Sequence, residues 1–215
     1  FVLIDHLDRQ PMTPENEAPF RLAQAMAFER DGDNERALSY LEQARESARM
    51  PLALDVSFDI TELMRKLDKI TVDQAIAALK PERPLWRGQK DESKYLRRYG
   101  KLLAEGNRAE EALEVWQIAA ERAPSPEMAR VISEDMGVLF ADILAGRDGW
   151  KRTPLQALAI YRRYRELLPT GKVGNDLINR LAEEVDGIGL HNVAAAMLDR
   201  QATFRLDEIM DRGPI

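Results

Sequence analysis

The residues able to do chemistry in this sequence are few and scattered. The chain of 215 residues has no cysteine and two histidines, His6 and His191. Neither histidine has a second histidine, or a carboxylate one helical turn later, at the spacing of a zinc motif. The sequence therefore predicts no thiol chemistry, no metal site and no cofactor.

Two pairs of adjacent acids, Glu134–Asp135 and Glu183–Glu184, are the candidates for acid–base catalysis. Neighbouring residues on a helix point about 100° apart, so the carboxylates of each pair do not converge on one substrate. We interpret both pairs as solvated helix surface. Since the hydroxyl residues also lie in no nucleophile motif, the sequence predicts a protein that is not an enzyme.

Composition narrows the class of protein further. Hydrophobic residues make up 45% and charged residues 32% of the chain, which is typical of a folded domain with a core. The net charge of -6 disfavours nucleic acid and anionic lipid as partners, in spite of a basic run at 162–165. No apolar stretch reaches the roughly 18 residues that span a bilayer, so we predict no membrane insertion. We expect a soluble protein, in the cytoplasm or a bacterial periplasm, between which the sequence does not distinguish.

Helical signals dominate the whole chain. Alanine, leucine, glutamate and arginine are abundant, and apolar residues recur at intervals of three and four. No segment alternates apolar and polar residues in the manner of a strand. The sequence therefore predicts an all-α fold.

One segment carries a more specific pattern of large and small residues on two consecutive helices, closed by a proline. Its members are Leu96, Gly100, Leu103, Ala112, Trp116, Ala119 and Pro124. In type and spacing they resemble the tetratricopeptide repeat (TPR) family of helical hairpins. The resemblance implies an α-solenoid of stacked antiparallel hairpins with a right-handed superhelix, because a single hairpin cannot bury its apolar face alone.

The same resemblance, with fewer matching residues, organises the remainder of the chain. We predict an N-terminal region at 1–80, a connecting loop at 81–92 and a second region at 93–215. The predicted hairpin at 128–169 carries an insertion at 145–152, and in the last hairpin Gln201 stands where the family has a small residue. The predicted hairpins lie at 19–51, 51–80 (degenerate), 93–124, 128–169 and 174–206.

The resemblance also implies a binding surface, because the first helix of each hairpin lines a concave groove in this family. The residues that align with groove positions are Lys94, Arg97, Lys101, Glu134, Asp135, Asp142, Asp176, Asn179 and Glu183. Such a groove changes from basic to acidic along its length and would steer a partner of matching charge into register. The alternative is ordinary solvated helix charge.

Two tryptophans, Trp86 and Trp150, lie in predicted loops. Exposed aromatic residues can anchor an interface, and they can equally fold back over the edge of a hairpin. We keep both as candidate partner-binding positions.

These observations favour a non-catalytic protein–protein interaction scaffold that binds a peptide or a partner domain in a concave groove. One version of this hypothesis makes the chain a segment of a larger multi-protein assembly, for example a bacterial envelope complex. The alternative is a regulatory or accessory domain of a larger enzyme.

Overall fold

Helices make up nearly all of the described part of the chain, which comprises residues 13–146 and 152–211 of a computed structural model. No strand occurs in those two ranges, so the prediction of an all-α fold is confirmed. The helices are α1 (Pro14–Arg30), α2 (Asn34–Ser47), α3 (Leu52–Lys66), α4 (Val72–Leu79), α5 (Arg83–Trp86), α6 (Glu92–Glu105), α7 (Ala109–Glu121), α8 (Pro126–Ala145), α9 (Pro154–Arg163), α10 (Gly171–Gly187) and α11 (His191–Asp211).

The contacts divide the chain into two units. Unit 1 comprises Phe1–Tyr95 and unit 2 comprises Leu96–Ile215. The boundary falls inside α6, three residues after the end of the predicted connecting loop. None of the described helices is both long enough and apolar enough to cross a bilayer.

Side-chain caps explain where several helices begin. The Thr71 hydroxyl accepts from the backbone N–H of Gln74, and the Gln74 side chain accepts from the backbone N–H of Thr71. Thr153 and Gln156 form the same reciprocal pair at the start of α9. Such a capping box satisfies two backbone donors that a helix leaves unpaired at its N-terminus.

Unit 1 begins with a hairpin formed by α1 and α2, against which α3 packs. Its core joins Ala25 and Phe28 of α1 to Leu41 of α2 and Ile60 of α3. The Phe28 ring also stacks on Tyr40, with the ring centroids 5.2 Å apart. α4 then packs on α3 and completes the second pair of helices. Met26 of α1 is 64% exposed and lies outside this core.

The segment predicted as an irregular connection is partly helical. A 3-10 turn at Lys80–Glu82 leads into the short helix α5, which ends at Trp86. Trp86 is fully buried, and its ring centroid lies 5.3 Å from that of Phe58 and 6.4 Å from that of Tyr95. Of the two interpretations of this tryptophan, the structure therefore agrees with the one in which it folds back onto the hairpins.

In unit 2 the helices form two layers. In the first layer, Arg97 of α6 pairs with Asp135 of α8 at 2.7 Å, and α8 packs directly against α10. In the second layer, Arg163 of α9 pairs with Glu114 of α7 at 2.7 Å. Helices that alternate along the chain thus lie side by side, which is the arrangement of stacked antiparallel hairpins. The predicted α-solenoid is confirmed at this level.

A close approach of α6 and α7 holds the first hairpin of unit 2 together. A Cβ atom on Gly100 would lie 2.3 Å from Nε1 of Trp116, so only glycine leaves room for the indole ring. The indole N–H donates to the carbonyl oxygen of Arg97 at 3.0 Å. Gly137, which the family pattern marks as the equivalent position of the next hairpin, has no atom within 4 Å of a Cβ built on it.

Arg152 anchors the end of the insertion in unit 2. Its guanidinium donates to the carbonyl oxygens of Ile143 and Leu144 at 2.8 and 3.1 Å, and so caps the last turn of α8. The same group forms a two-pronged ion pair with Glu184 of α10. The side chain of Arg152 is 9% exposed, so this contact is largely desolvated. Most of the insertion, including Trp150, lies outside the described residues.

Candidate partner-binding surface

The exposed sides of three first-layer helices in unit 2 carry most of the predicted groove residues. Lys101 lies on α6, Glu134 on α8, and Asn179 and Glu183 on α10, and all four are exposed. Val138, one turn after Glu134 on the same side of α8, is 64% exposed. We call the surface formed by Lys101, Glu134, Val138, Asp176, Asn179 and Glu183 the first-layer face.

Three charged side chains of the first-layer face have no partner among the described residues. Lys101, Asp176 and Glu183 form no ion pair or hydrogen bond within 13–146 and 152–211. Glu134 differs, because it forms an ion pair with Arg130 one turn earlier on α8. The face therefore offers one unpaired positive charge on α6 and two unpaired negative charges on α10.

The other predicted groove charges are engaged inside the protein. Arg97 and Asp135 neutralise each other, and their side chains are 32% and 25% exposed. Lys94 belongs to unit 1, where it pairs with Asp55 at 2.6 Å. Asp142 is half-buried and has an interaction partner of its own. Fewer residues than the sequence indicates therefore contribute to the predicted change from positive to negative charge along the groove.

The two acidic pairs diverge, as their spacing predicts. Glu134 and Asp135 turn to different arginines, Arg130 on α8 itself and Arg97 on α6. Glu183 stays exposed, whereas Glu184 turns inward to Arg152. Neither pair brings two carboxylates to one point. In the part of the chain that the structure describes, no group of three potential metal ligands comes together either.

Tyr164 is a buried residue of unit 2 whose pKa is clearly shifted. Burial raises the pKa of its phenol, and the guanidinium of Arg163, 5.3 Å from the ring centroid, lowers it by a smaller amount. The hydroxyl has no hydrogen-bond partner among the described residues. This arrangement keeps the phenol neutral, and it lies on the second layer, away from the first-layer face.

A cavity of about 440 Å³ opens in unit 2 where the end of α9, the start of α10 and α11 meet. Apolar groups such as Tyr161, Leu168 and Ile178 make most of its lining. The segment before α10 packs closely against the first turns of that helix, because a Cβ on Gly174 would lie 1.8 Å from the carbonyl oxygen of Pro169. The volume lies within the range of ordinary ligand pockets.

Polar groups at the edge of this cavity escaped the sequence analysis. Arg165, Glu166 and Arg200 contribute to its lining, and Gln201 donates from its side-chain amide to Oδ1 of Asn175 at 2.6 Å. The sequence does give a signal at Gln201, because this residue occupies a position where the repeat pattern has a small side chain. Arg165 belongs to the basic run at 162–165, whereas nothing in the local sequence marks Arg200.

Comparisons with known proteins found similar solved structures but no similar sequence. No family model matches this sequence, and no curated protein sequence matches it. Among solved structures, it is similar to the nearly identical TPR-like repeats of a Podosopora anserina protein named for kinesin light chain, with 12% identity, a TM-score of 0.49, and coverage of 92% of this chain and 99% of that chain. A single-residue variant of those repeats gives 12% identity, a TM-score of 0.49, and coverage of 94% and 100%.

A third similar structure is the TPR domain of P58(IPK), with 16% identity, a TM-score of 0.29, and coverage of 85% of this chain and 49% of that chain. All three similar structures are TPR or TPR-like repeats, the family that the residues between 96 and 124 resemble. The stacked hairpins themselves are established by the helix packing in each unit.

Proposed function

We propose that this protein is a non-catalytic interaction scaffold that binds a peptide or a partner domain on the first-layer face of unit 2. The observation that supports it is the exposed side chain of Val138 between unpaired charges of both signs. A single exposed valine needs no explanation, since such residues are common on protein surfaces. An apolar contact flanked by complementary charges is, however, the composition of a specific polar-rimmed interface.

The charges define which partner fits. A partner segment places an apolar side chain against Val138, a basic residue toward Asp176 and Glu183, and an acidic residue toward Lys101. The pair formed by Arg97 and Asp135 lies between these groups and holds α6 to α8. It therefore keeps the spacing of the face fixed and adds no net charge to it.

Crosslinking mass spectrometry of the tagged full-length protein in its native cell tests the proposal. We expect crosslinks from one or a few partners to peptides that contain Lys101 or neighbouring residues of the face. The variants Lys101→Glu and Glu183→Lys should each reduce partner recovery by about tenfold, the effect of roughly 1.4 kcal/mol per reversed contact.

Matched controls are available on the second layer. Arg162→Glu and Asp199→Lys make the same charge changes at exposed positions of α9 and α11 that have no ion-pair partner among the described residues. Both should leave recovery unchanged. Equal loss in the controls, or crosslinks that avoid α6, α8 and α10, would refute the assignment of the face.

We also propose that the partner is part of a larger multi-protein assembly, of which a bacterial envelope complex is one example. This follows from the non-catalytic proposal, since a scaffold acts through the proteins it joins. Native mass spectrometry of the purified tagged complex should show several different subunits. A one-to-one complex with a single enzyme would instead favour a role as an accessory domain.

A further inference from the structure

We propose that the cavity between α9, α10 and α11 is a second binding site, which takes a peptide segment carrying an acidic side chain next to a large apolar one. The inference deepens the proposed function, because it assumes that the protein binds other proteins. It places the contact on a part of unit 2 that shares no residue with the first-layer face. Three features of the cavity carry it.

The first feature is unpaired positive charge. Arg165 and Arg200 both contribute to the lining, and neither forms an ion pair or hydrogen bond from its side chain with any described residue. Glu166 is also part of the lining and forms no ion pair with either arginine. The side chains at the cavity therefore sum to a net positive charge, and an entering carboxylate meets guanidinium groups that have no other partner.

The second feature is the apolar lining. Leu168, Pro169 and Ile178 present hydrocarbon surface to a volume of about 440 Å³. Burial of apolar area releases water and is favourable in proportion to the area covered. A ligand with only a charged group would leave the apolar lining in contact with water, so the cavity suits a ligand that has an apolar part as well.

The third feature separates a peptide from a small amphipathic anion. The hydrogen bond from Gln201 to Asn175 uses the Gln201 amide nitrogen and the Asn175 oxygen. The amide nitrogen of Asn175 and the amide oxygen of Gln201 have no partner among the described residues. This leaves one donor and one acceptor side by side, which matches the C=O and N–H of a peptide group. A fatty acid has no N–H for Gln201.

The test is a titration of the isotope-labelled full chain by NMR with three blocked hexapeptides. The first is Ser-Glu-Leu-Phe-Asp-Ser, the second replaces its acids by Gln and Asn, and the third replaces them by Lys. We expect the acidic peptide to shift amide signals at 165–178 and 200–201. The neutral peptide should bind about tenfold more weakly, and the basic one should not bind measurably.

Variants locate the charge dependence. The double variant R165Q and R200Q should bind the acidic peptide about tenfold more weakly, while keeping the spectrum of a folded protein. Arg162→Gln removes a neighbouring exposed arginine that does not line the cavity, and it should bind as the unchanged protein does. Asn175→Leu should weaken the acidic peptide and leave the binding of decanoate unchanged.

Several results would overturn the inference. They are equal binding of the acidic and neutral peptides, signal shifts confined to residues outside the cavity, and binding of decanoate but of no peptide. Failure here is separable from failure of the proposed function, because Lys101 and Glu183 are untouched in these variants. If Lys101→Glu abolishes binding of the cellular partner but the unchanged protein does not bind the acidic peptide, the proposed function stands and the cavity site is refuted.

Discussion

Two glycines show how one sequence pattern can hide two physical situations. Gly100 and Gly137 both match the small-residue position of a repeat hairpin. At Gly100 the indole of Trp116 occupies the space where a Cβ would stand, whereas at Gly137 that space is empty. The pattern identifies the position in the hairpin, and the neighbouring side chain decides whether glycine is needed there.

Gly100→Ala should lower the free energy of unfolding by about 2 kcal/mol or more, because the indole must move and lose its hydrogen bond to the Arg97 carbonyl. Gly137→Ala is the matched control. It should raise stability by about 0.5–1 kcal/mol, since alanine is the better helix former and meets no obstruction. Urea denaturation followed by circular dichroism measures both changes. Equal effects of the two substitutions would contradict the packing described for Trp116.

Tyr164 gives a prediction for alkaline pH. Burial raises the pKa of its phenol in the folded protein, while the unfolded chain titrates near the ordinary value of about 10. Ionisation of Tyr164 therefore does not affect stability below about pH 10, and stability falls as the pH rises from there through the raised value, because the unfolded chain releases the proton more readily than the folded protein does. Tyr164→Phe should lose less stability between about pH 9 and 11 than the unchanged protein does.

At neutral pH the same substitution should be neutral or stabilising by up to about 1 kcal/mol, because it removes a buried hydroxyl that has no described partner. Denaturant titrations at a series of pH values measure both effects. A stability difference between the two proteins that stays constant from neutral to alkaline pH would show that Tyr164 titrates normally.

Single residues also explain what sequence reasoning could and could not find at the candidate sites. The exposure of Lys101 and Glu183 follows from helical periodicity and was predictable. The pairing of Arg97 with Asp135 was not, because it joins residues 38 positions apart. Arg165 and Arg200 of the cavity are distinguished by having no ion-pair partner among the described residues, which is a property of the folded chain.

At the scale of the helices, residues close in sequence explain where helices begin better than they explain where helices end. Thr71 and Thr153 act within three residues of themselves, so their caps can be read directly from the sequence. The C-terminus of α8 depends on Gly146 in a left-handed conformation, with φ of 57°, and on Arg152 from beyond the insertion. The ion pair between Arg152 and Glu184 joins residues 32 positions apart, so no local sequence pattern indicates it.

Arg152→Ala should lower the free energy of unfolding by about 1–3 kcal/mol, because two carbonyl groups of α8 and the carboxylate of Glu184 lose a largely buried partner. The loss stays below that of a fully buried pair, since Arg180 lies 3.7 Å from Glu184 and remains. Chemical denaturation provides the measurement.

Arg130→Ala serves as its control, because that substitution breaks an ion pair with Glu134 in which both side chains are more than half exposed. It should change stability by less than about 0.5 kcal/mol. If both arginine variants behaved alike, Arg152 would have no special role in holding α8 to α10.

At the scale of the whole molecule, the class of fold was predictable and its subdivision was less so. Periodicity and the residues of the segment 96–124 indicate stacked hairpins, because the repeat pattern records which helix faces must touch. The prolines at Pro81 and Pro84 indicate a break, yet the chain there forms a 3-10 turn and a short helix that bury Trp86. Proline is compatible with the first turn of a helix, which is why such a segment need not be irregular.

The division of contacts within α6 limits how this protein can be rearranged. One end of that helix presents Tyr95 to Phe58, and further along the same helix Gly100 receives the indole of Trp116. An exchange of the α6–α7 hairpin between related genes, with breakpoints in the turns, would keep Gly100 with Trp116 but separate Tyr95 from Phe58 of α3. We therefore expect α6 to be inherited together with the helices on both sides of it, because each half of α6 packs against a different helix.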